Sequence, residues 1–178
     1  ELMGRVRQMG DEKAFDELDR RYARRLYGFF FRMLGREGQL ASDFTQELFL
    51  RVWAVRGRYE CGRELCPWLF TMAYNLCRNE YRFWNIAVGF EEEVRGGPWT
   101  YEEQPELRMD VQMFDRELST LLDKLPPEQR VLFALRYEEE LTVPQLAEVM
   151  GIPEGTVKSR LHYLLQYLRK KLKVYETL

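Results

Sequence analysis

The sequence predicts an all-α fold of two small helical domains joined by a flexible acidic linker, with a helix-turn-helix as the C-terminal domain. Three observations predict it. Apolar residues recur at spacings of three and four through most of the 178 residues, and no stretch alternates with the period of two that a strand requires. From Ile86 to Glu106 that periodicity fails, and Gly89, Gly96-Gly97-Pro98, Pro105 and two glutamate clusters take its place. Beyond the break, the stretch LTVPQLAEVMGIPEGTVKSRLHYLLQYLRKKL from Leu141 to Leu172 carries the turn chemistry of two crossing helices. The predicted boundaries are 1–85 for the first domain, 86–106 for the linker and 107–178 for the second domain.

Asp11 to Leu34 reads as one long helix. Phe15, Leu18, Tyr22, Leu26, Phe29, Phe30 and Met33 form its apolar face, and Gly35 and Gly38 are expected to stop it. A second helix is expected from Leu40 to Val55, capped by Ser42 or Asp43 and closed by Gly57. It sets Phe44, Leu48, Phe49, Val52 and Trp53 against Asp43, Gln46, Glu47, Leu50 and Arg51. After a loop from Arg58 to Cys66, Pro67 sits in the first turn of a third helix, where its missing N–H costs nothing. That helix carries Trp68, Leu69, Met72, Ala73, Leu76 and Cys77 inward and reaches about Trp84. Past the linker, helices are expected from Leu107 to Lys124 and, after Pro126-Pro127, from Glu128 to Tyr137.

In the helix-turn-helix, Thr142 can cap the first helix, and Gln145 three residues on completes a capping box. Ala147 is small where two helices cross, and Gly151 stands where the chain must turn through positive φ. Val157 is the expected buried anchor of the second helix. Val157, Leu161, Leu164, Leu165, Leu168 and Leu172 form its apolar stripe. Gly155, Thr156, Lys158, Ser159 and His162 lie on the early turns of the other side, the part a recognition helix offers to the major groove. Arg160 joins them in a run from Gly155 to Val174 that holds six lysines or arginines and no acid. A basic amphipathic helix can simply close a bundle; the alanine, glycine and valine register favours duplex DNA.

The net charge of −2 conceals segregation. Arg20, Arg21, Arg24, Arg25, Arg32 and Arg36 follow one another with no acid between them, whereas Ile86 to Leu118 holds nine acids against three arginines. Apolar residues at 46% and charged residues at 31% suit a globular chain with a real core. Cys61, Cys66 and Cys77 read as reduced thiols, and three cysteines with one distant histidine do not make a zinc set. No apolar run approaches the ~20 residues of a membrane span, so membrane insertion is not expected. With one histidine, no serine elbow and no phosphate-cradling glycine loop, the expectation is no enzyme, no catalytic residue, no cofactor and no metal. The rival readings are a stand-alone regulator with a sensory N-terminal domain and a thiol sensor built on Cys61 and Cys66.

These pieces, in this order, resemble the extracytoplasmic-function group of bacterial sigma-70 factors over nearly the whole chain. Phe15-Asp16-Glu17-Leu18 with Tyr22, Leu26 and Tyr27 is similar to the family's first helix. Asp43-Phe-Thr-Gln-Glu-Leu-Phe-Leu-Arg-Val-Trp53 resembles its polymerase-docking segment, which implies contacts from Asp43, Gln46, Glu47, Phe49, Arg51 and Trp53. Pro67-Trp68-Leu69-Phe70 through Asn75-Leu76-Cys77-Arg78-Asn79 resembles the segment that melts and reads the minus-ten element. The residues implied there are Phe70, Asn75, Arg78, Asn79 and Arg82, asparagine amides for base edges and an aromatic face for stacking. Leu125-Pro126-Pro127-Glu128-Gln129-Arg130 and the helix-turn-helix resemble the reader of the minus-thirty-five element, implying Gly155, Thr156, Lys158, Ser159, Arg160 and His162. The resemblance implies core RNA polymerase, promoter DNA as duplex and melted single strand, and an anti-sigma factor as partners, in the cytoplasm.

Overall fold

The computed structural model describes residues 2–88 and 111–172, with side chains at 2–80 and 114–172. The third helix runs on to Val88, past its expected end near Trp84, so the first three residues of the predicted linker are helical; from 89 onward the predicted linker lies outside the described residues. Among the described residues every regular element is helical. An unanticipated helix, α1 (Leu2–Met9), comes first and buries only Met3 and Val6, too short a pattern to signal itself. Helix α2 (Glu12–Met33) starts at Asp11, whose carboxylate accepts from the Ala14 N–H at 3.0 Å. It ends where Gly35 and Arg36 both take positive φ, and the Arg36 N–H reaches back to the Phe31 carbonyl at 2.8 Å.

Gly38 does not stop α2. It opens α3 (Gly38–Val55), and a Cβ there would come within 3.2 Å of the Tyr27 hydroxyl. Nor do Ser42 and Asp43 cap α3: the N-cap is Glu37, with no side-chain bond, and Asp43 instead accepts from the Gln39 amide at 2.9 Å. Gly57 lies in a single 3-10 turn, Arg56–Arg58, that follows α3. Helix α4 (Leu65–Val88) begins two residues ahead of Pro67, which stays within the first turn. The first domain closes around Phe29, Phe30 and Phe70, with ring centroids 5.9 Å apart for Phe29–Phe30 and 5.5 Å for Phe29–Phe70.

In the second domain, α5 (Val111–Asp123) is tied to α6 (Pro127–Phe133) by Arg130. The Arg130 guanidinium donates to the carbonyls of Leu122, Asp123 and Leu125 at 3.2, 2.7 and 3.1 Å, satisfying acceptors that a helix end leaves open. A π-turn over Ala134–Glu138 leads into α7 (Val143–Met150) and α8 (Glu154–Leu172). The two domains touch. Helix α7 packs on α4, α6 approaches α2, and the buried side chains of both domains form one continuous core.

Candidate nucleic-acid and polymerase interfaces

The turn of the helix-turn-helix is built as its chemistry requires. The Thr142 N–H donates to Gln145 Oε1 at 2.7 Å, and the Gln145 N–H returns to Thr142 Oγ1 at 3.5 Å. Gly151 adopts φ +66°, a conformation that a Cβ would strain. Val157, Leu161, Leu164 and Leu168 are buried, so α8 is rotated with Gly155, Lys158, Ser159 and His162 exposed and Thr156 half-buried. The Ser159 hydroxyl donates to the Thr156 carbonyl at 3.0 Å, and Lys158 sits 3.7 Å from Glu154, both largely exposed. Lys158 therefore keeps most of its charge available to an incoming phosphate. Arg160 stands apart. Its guanidinium donates to Glu128 of α6 at 2.7 Å and so braces the domain. Tyr163, outside the expected set, is 68% exposed beside His162 and extends the same face. Its place four residues after Ser159 was the signal.

On α4, Asn75, Arg78 and Asn79 are exposed at spacings of three and four, one continuous face. Phe70 is not on it. The ring is 0% exposed and packs edge-on to Phe29, so it serves the core and cannot stack on a base. The Arg82 side chain lies outside those described. Tyr74 is buried behind the face; burial pushes its hydroxyl pKa up and nearby Glu128 pushes it further, against Arg78 and Arg160.

Helices α2 and α3 enclose a groove lined by Phe15, Asp19, Thr45, Gln46, Phe49, Leu50 and Trp53. Phe49 forms its floor and is itself core: it is 7% exposed with its ring edge 6.0 Å from Phe15. Trp53 is half-buried, 5.0 Å from the same ring. Gln46 is exposed on the rim, and Leu50 stands 66% exposed, an apolar side chain on an otherwise polar face. Asp43 lies outside the groove, and Glu47 and Arg51 pair with each other at 2.6 Å. The far wall, Phe15 and Asp19, came from a helix that the sequence did not connect with α3. Burial, then the charge of Asp16, pushes the Asp19 carboxyl up from its ordinary value.

Residues 18–83, covering most of α2, all of α3 and most of α4, match the family described as Sigma-70 region 2. Residues 115–166 match that described as Sigma-70, region 4. The ECF RNA polymerase sigma factor SigW of Bacillus subtilis (strain 168) is 30% identical over 95% of each chain. The RNA polymerase sigma factor CarQ of Myxococcus xanthus is 33% identical over 92% of this chain and 91% of its own. The chain belongs to the extracytoplasmic-function sigma factors. As an ECF sigma factor it directs promoter-specific initiation by RNA polymerase. Among solved structures it is similar to the sigma factor RpoE of Bartonella quintana, crystallised with the anti-sigma factor NepR. That match has 25% identity and a TM-score of 0.70, over 92% of this ECF sigma factor and 99% of RpoE.

Proposed function

We propose a division of the sigma-factor task among three surfaces. The groove between α2 and α3, with Gln46, Leu50 and Trp53 at its edge, docks on core polymerase. Asn75, Arg78 and Asn79, together with Arg82, capture the melted minus-ten strand, because amide and guanidinium groups can pair with exposed base edges. Gly155, Thr156, Lys158, Ser159 and His162 read the minus-thirty-five duplex in the major groove. Residues 1–85 and 107–178 act as the two reading domains and 86–106 as their tether. The chain works by binding rather than catalysis, in the cytoplasm. Its counterpart to the RpoE–NepR pairing is an anti-sigma factor. Among the described residues no helix is long and apolar enough to cross a membrane.

The observation that carries this reading is the exposed early face of α8, with Gly155, Lys158, Ser159 and His162 open behind a capped turn. Run-off transcription with core polymerase across a genomic promoter pool tests it. Specific transcripts should start downstream of one shared pair of elements. Transcripts without a shared pair would leave the assignment of the two reading faces unsupported.

A further inference from the structure

Two of the three cysteines sit where α3 hands over to α4, Cys61 just ahead of α4 and Cys66 in its first turn. Both are free thiols, Cys61 exposed and Cys66 half-buried, whereas Cys77 is sealed in the core. Each of the pair has a guanidinium beside it. Arg7 of α1 donates to Cys61 Sγ at 3.4 Å, and Arg25 of α2 donates to Cys66 Sγ at 3.4 Å. Burial raises the pKa of Tyr22 and of Tyr59; the charge of Cys66 adds to the first, and those of Cys61 and then Tyr22 add to the second. Both sulfurs therefore border one cluster of titratable groups. Between them Gly62 takes φ +102° with open space where a Cβ would lie, so the stretch has room to re-form.

We propose that Cys61 and Cys66 are a peroxide-operated thiol pair, in which Cys61 is oxidised first and Cys66 resolves it as a disulfide. The Cys61 thiolate attacks one oxygen of hydrogen peroxide; the O–O bond breaks, and the departing hydroxide takes up the thiol's proton as water. Cys61 is left as a sulfenic acid. The Cys66 sulfur then attacks the Cys61 sulfur, an S–S bond forms, and the sulfenic oxygen leaves with the Cys66 proton as a second water. Two thiols are oxidised and one peroxide is reduced. Cys66 suits the second step only. Burial pushes its thiol up, Arg25 opposes this, and Glu139 and Glu64 add to it, so it stays protonated and shielded from peroxide. A disulfide across so short a loop gains little from constraining the unfolded chain, so it is readily reduced again, as a reversible sensor requires. Closing the bond draws Cys66 off Arg25, which also holds Glu139 of the second domain at 2.7 Å. It re-forms the stretch that carries Arg63 and Glu64, the partners of Glu148 and Gln145 in α7. Oxidation therefore loosens the polar contacts that α7 receives from this stretch, and reduction restores them.

The test uses the full chain, reduced, freed of reductant and treated with a few equivalents of hydrogen peroxide. Non-reducing peptide mass spectrometry should recover a peptide linking Cys61 to Cys66, lost again in dithiothreitol, with Cys77 unmodified throughout. Cys61→Ser removes the exposed thiol and should leave Cys66 reduced. In Cys66→Ser the Cys61 sulfenic acid has no resolving partner and should be trapped by dimedone. Hydrogen exchange is the second readout. Amides of α7 in oxidised wild type should exchange about ten-fold faster than in the reduced protein, and in peroxide-treated Cys61→Ser they should not change. If circular dichroism shows Cys66→Ser losing helix, Cys66→Ala takes its place in the trapping. Wild-type Cys61 carried to sulfinic acid with no link would overturn the proposal, as would Cys66 oxidised in Cys61→Ser. A linked pair with unchanged α7 exchange would overturn it equally.

Discussion

Lys158 and Phe70 show how one side chain's orientation decides its role. Lys158 keeps an exposed ammonium 3.7 Å from Glu154, whose side chain is itself half exposed. If it neutralises a phosphate, Lys158→Ala should weaken binding to all duplexes alike and reduce the salt slope by about 0.9. Anisotropy against salt checks this, and a loss confined to one sequence would instead make Lys158 a base reader. Phe70 has no exposed surface, so Phe70→Ala should cost about 3–5 kcal/mol of stability by leaving a cavity against Phe29. Asn79→Ala, on the exposed face, should leave the melting temperature within a degree or two while reducing capture of minus-ten single strand in holoenzyme. Thermal denaturation beside open-complex footprinting separates the two, and equal destabilisation by both would remove Asn79 from the reading face.

At the scale of the element, α3 combines a buried seam with a rim that only a partner can cover. Leu50 is one turn on from Gln46 and exposes its apolar side chain beside the ring of Phe49. Gln46→Ala with Leu50→Asp should lower affinity for core polymerase at least ten-fold with unchanged helicity, because a carboxylate would have to be desolvated in the docked state. Competition for core against the wild-type chain measures it. Retained affinity would move the docking site off the groove.

At the scale of the whole molecule, Arg32 of α2 faces Glu138 of the second domain, and that carboxyl answers to pH. Burial pushes the Glu138 carboxyl above its ordinary 4.5; Arg32 opposes this, and the neighbouring charge of Glu139 adds to it. A carboxyl raised in the folded state contributes stability that is fully present below about 4.5 and fades as pH rises through the raised value. Relative to Glu138→Gln, wild type should lose melting temperature as pH rises from about 4.5 toward neutrality. A difference that stays constant over that window would show that Glu138 titrates alike in both states.

Much of this was written in local pattern. The capping box of Thr142 and Gln145, the left-handed Gly151 and the buried stripe from Val157 to Leu168 depend on residues within a few positions of one another, so spacing alone determined them. The same locality made the exposed faces of α4 and α8 legible. Gly38, Phe70 and Arg160 were decided otherwise. Gly38 opens α3 beneath the Tyr27 hydroxyl of α2, which a Cβ would crowd, Phe70 turns inward because Phe29 offers it a surface, and Arg160 is claimed by Glu128. The groove needs α2 as its second wall, and the bond from Arg25 to Glu139 needs α2 to meet a corner more than a hundred residues on. Helical periodicity states which side of a helix is apolar but not which neighbour covers it; that choice belongs to packing between distant segments, and only the tertiary structure made it.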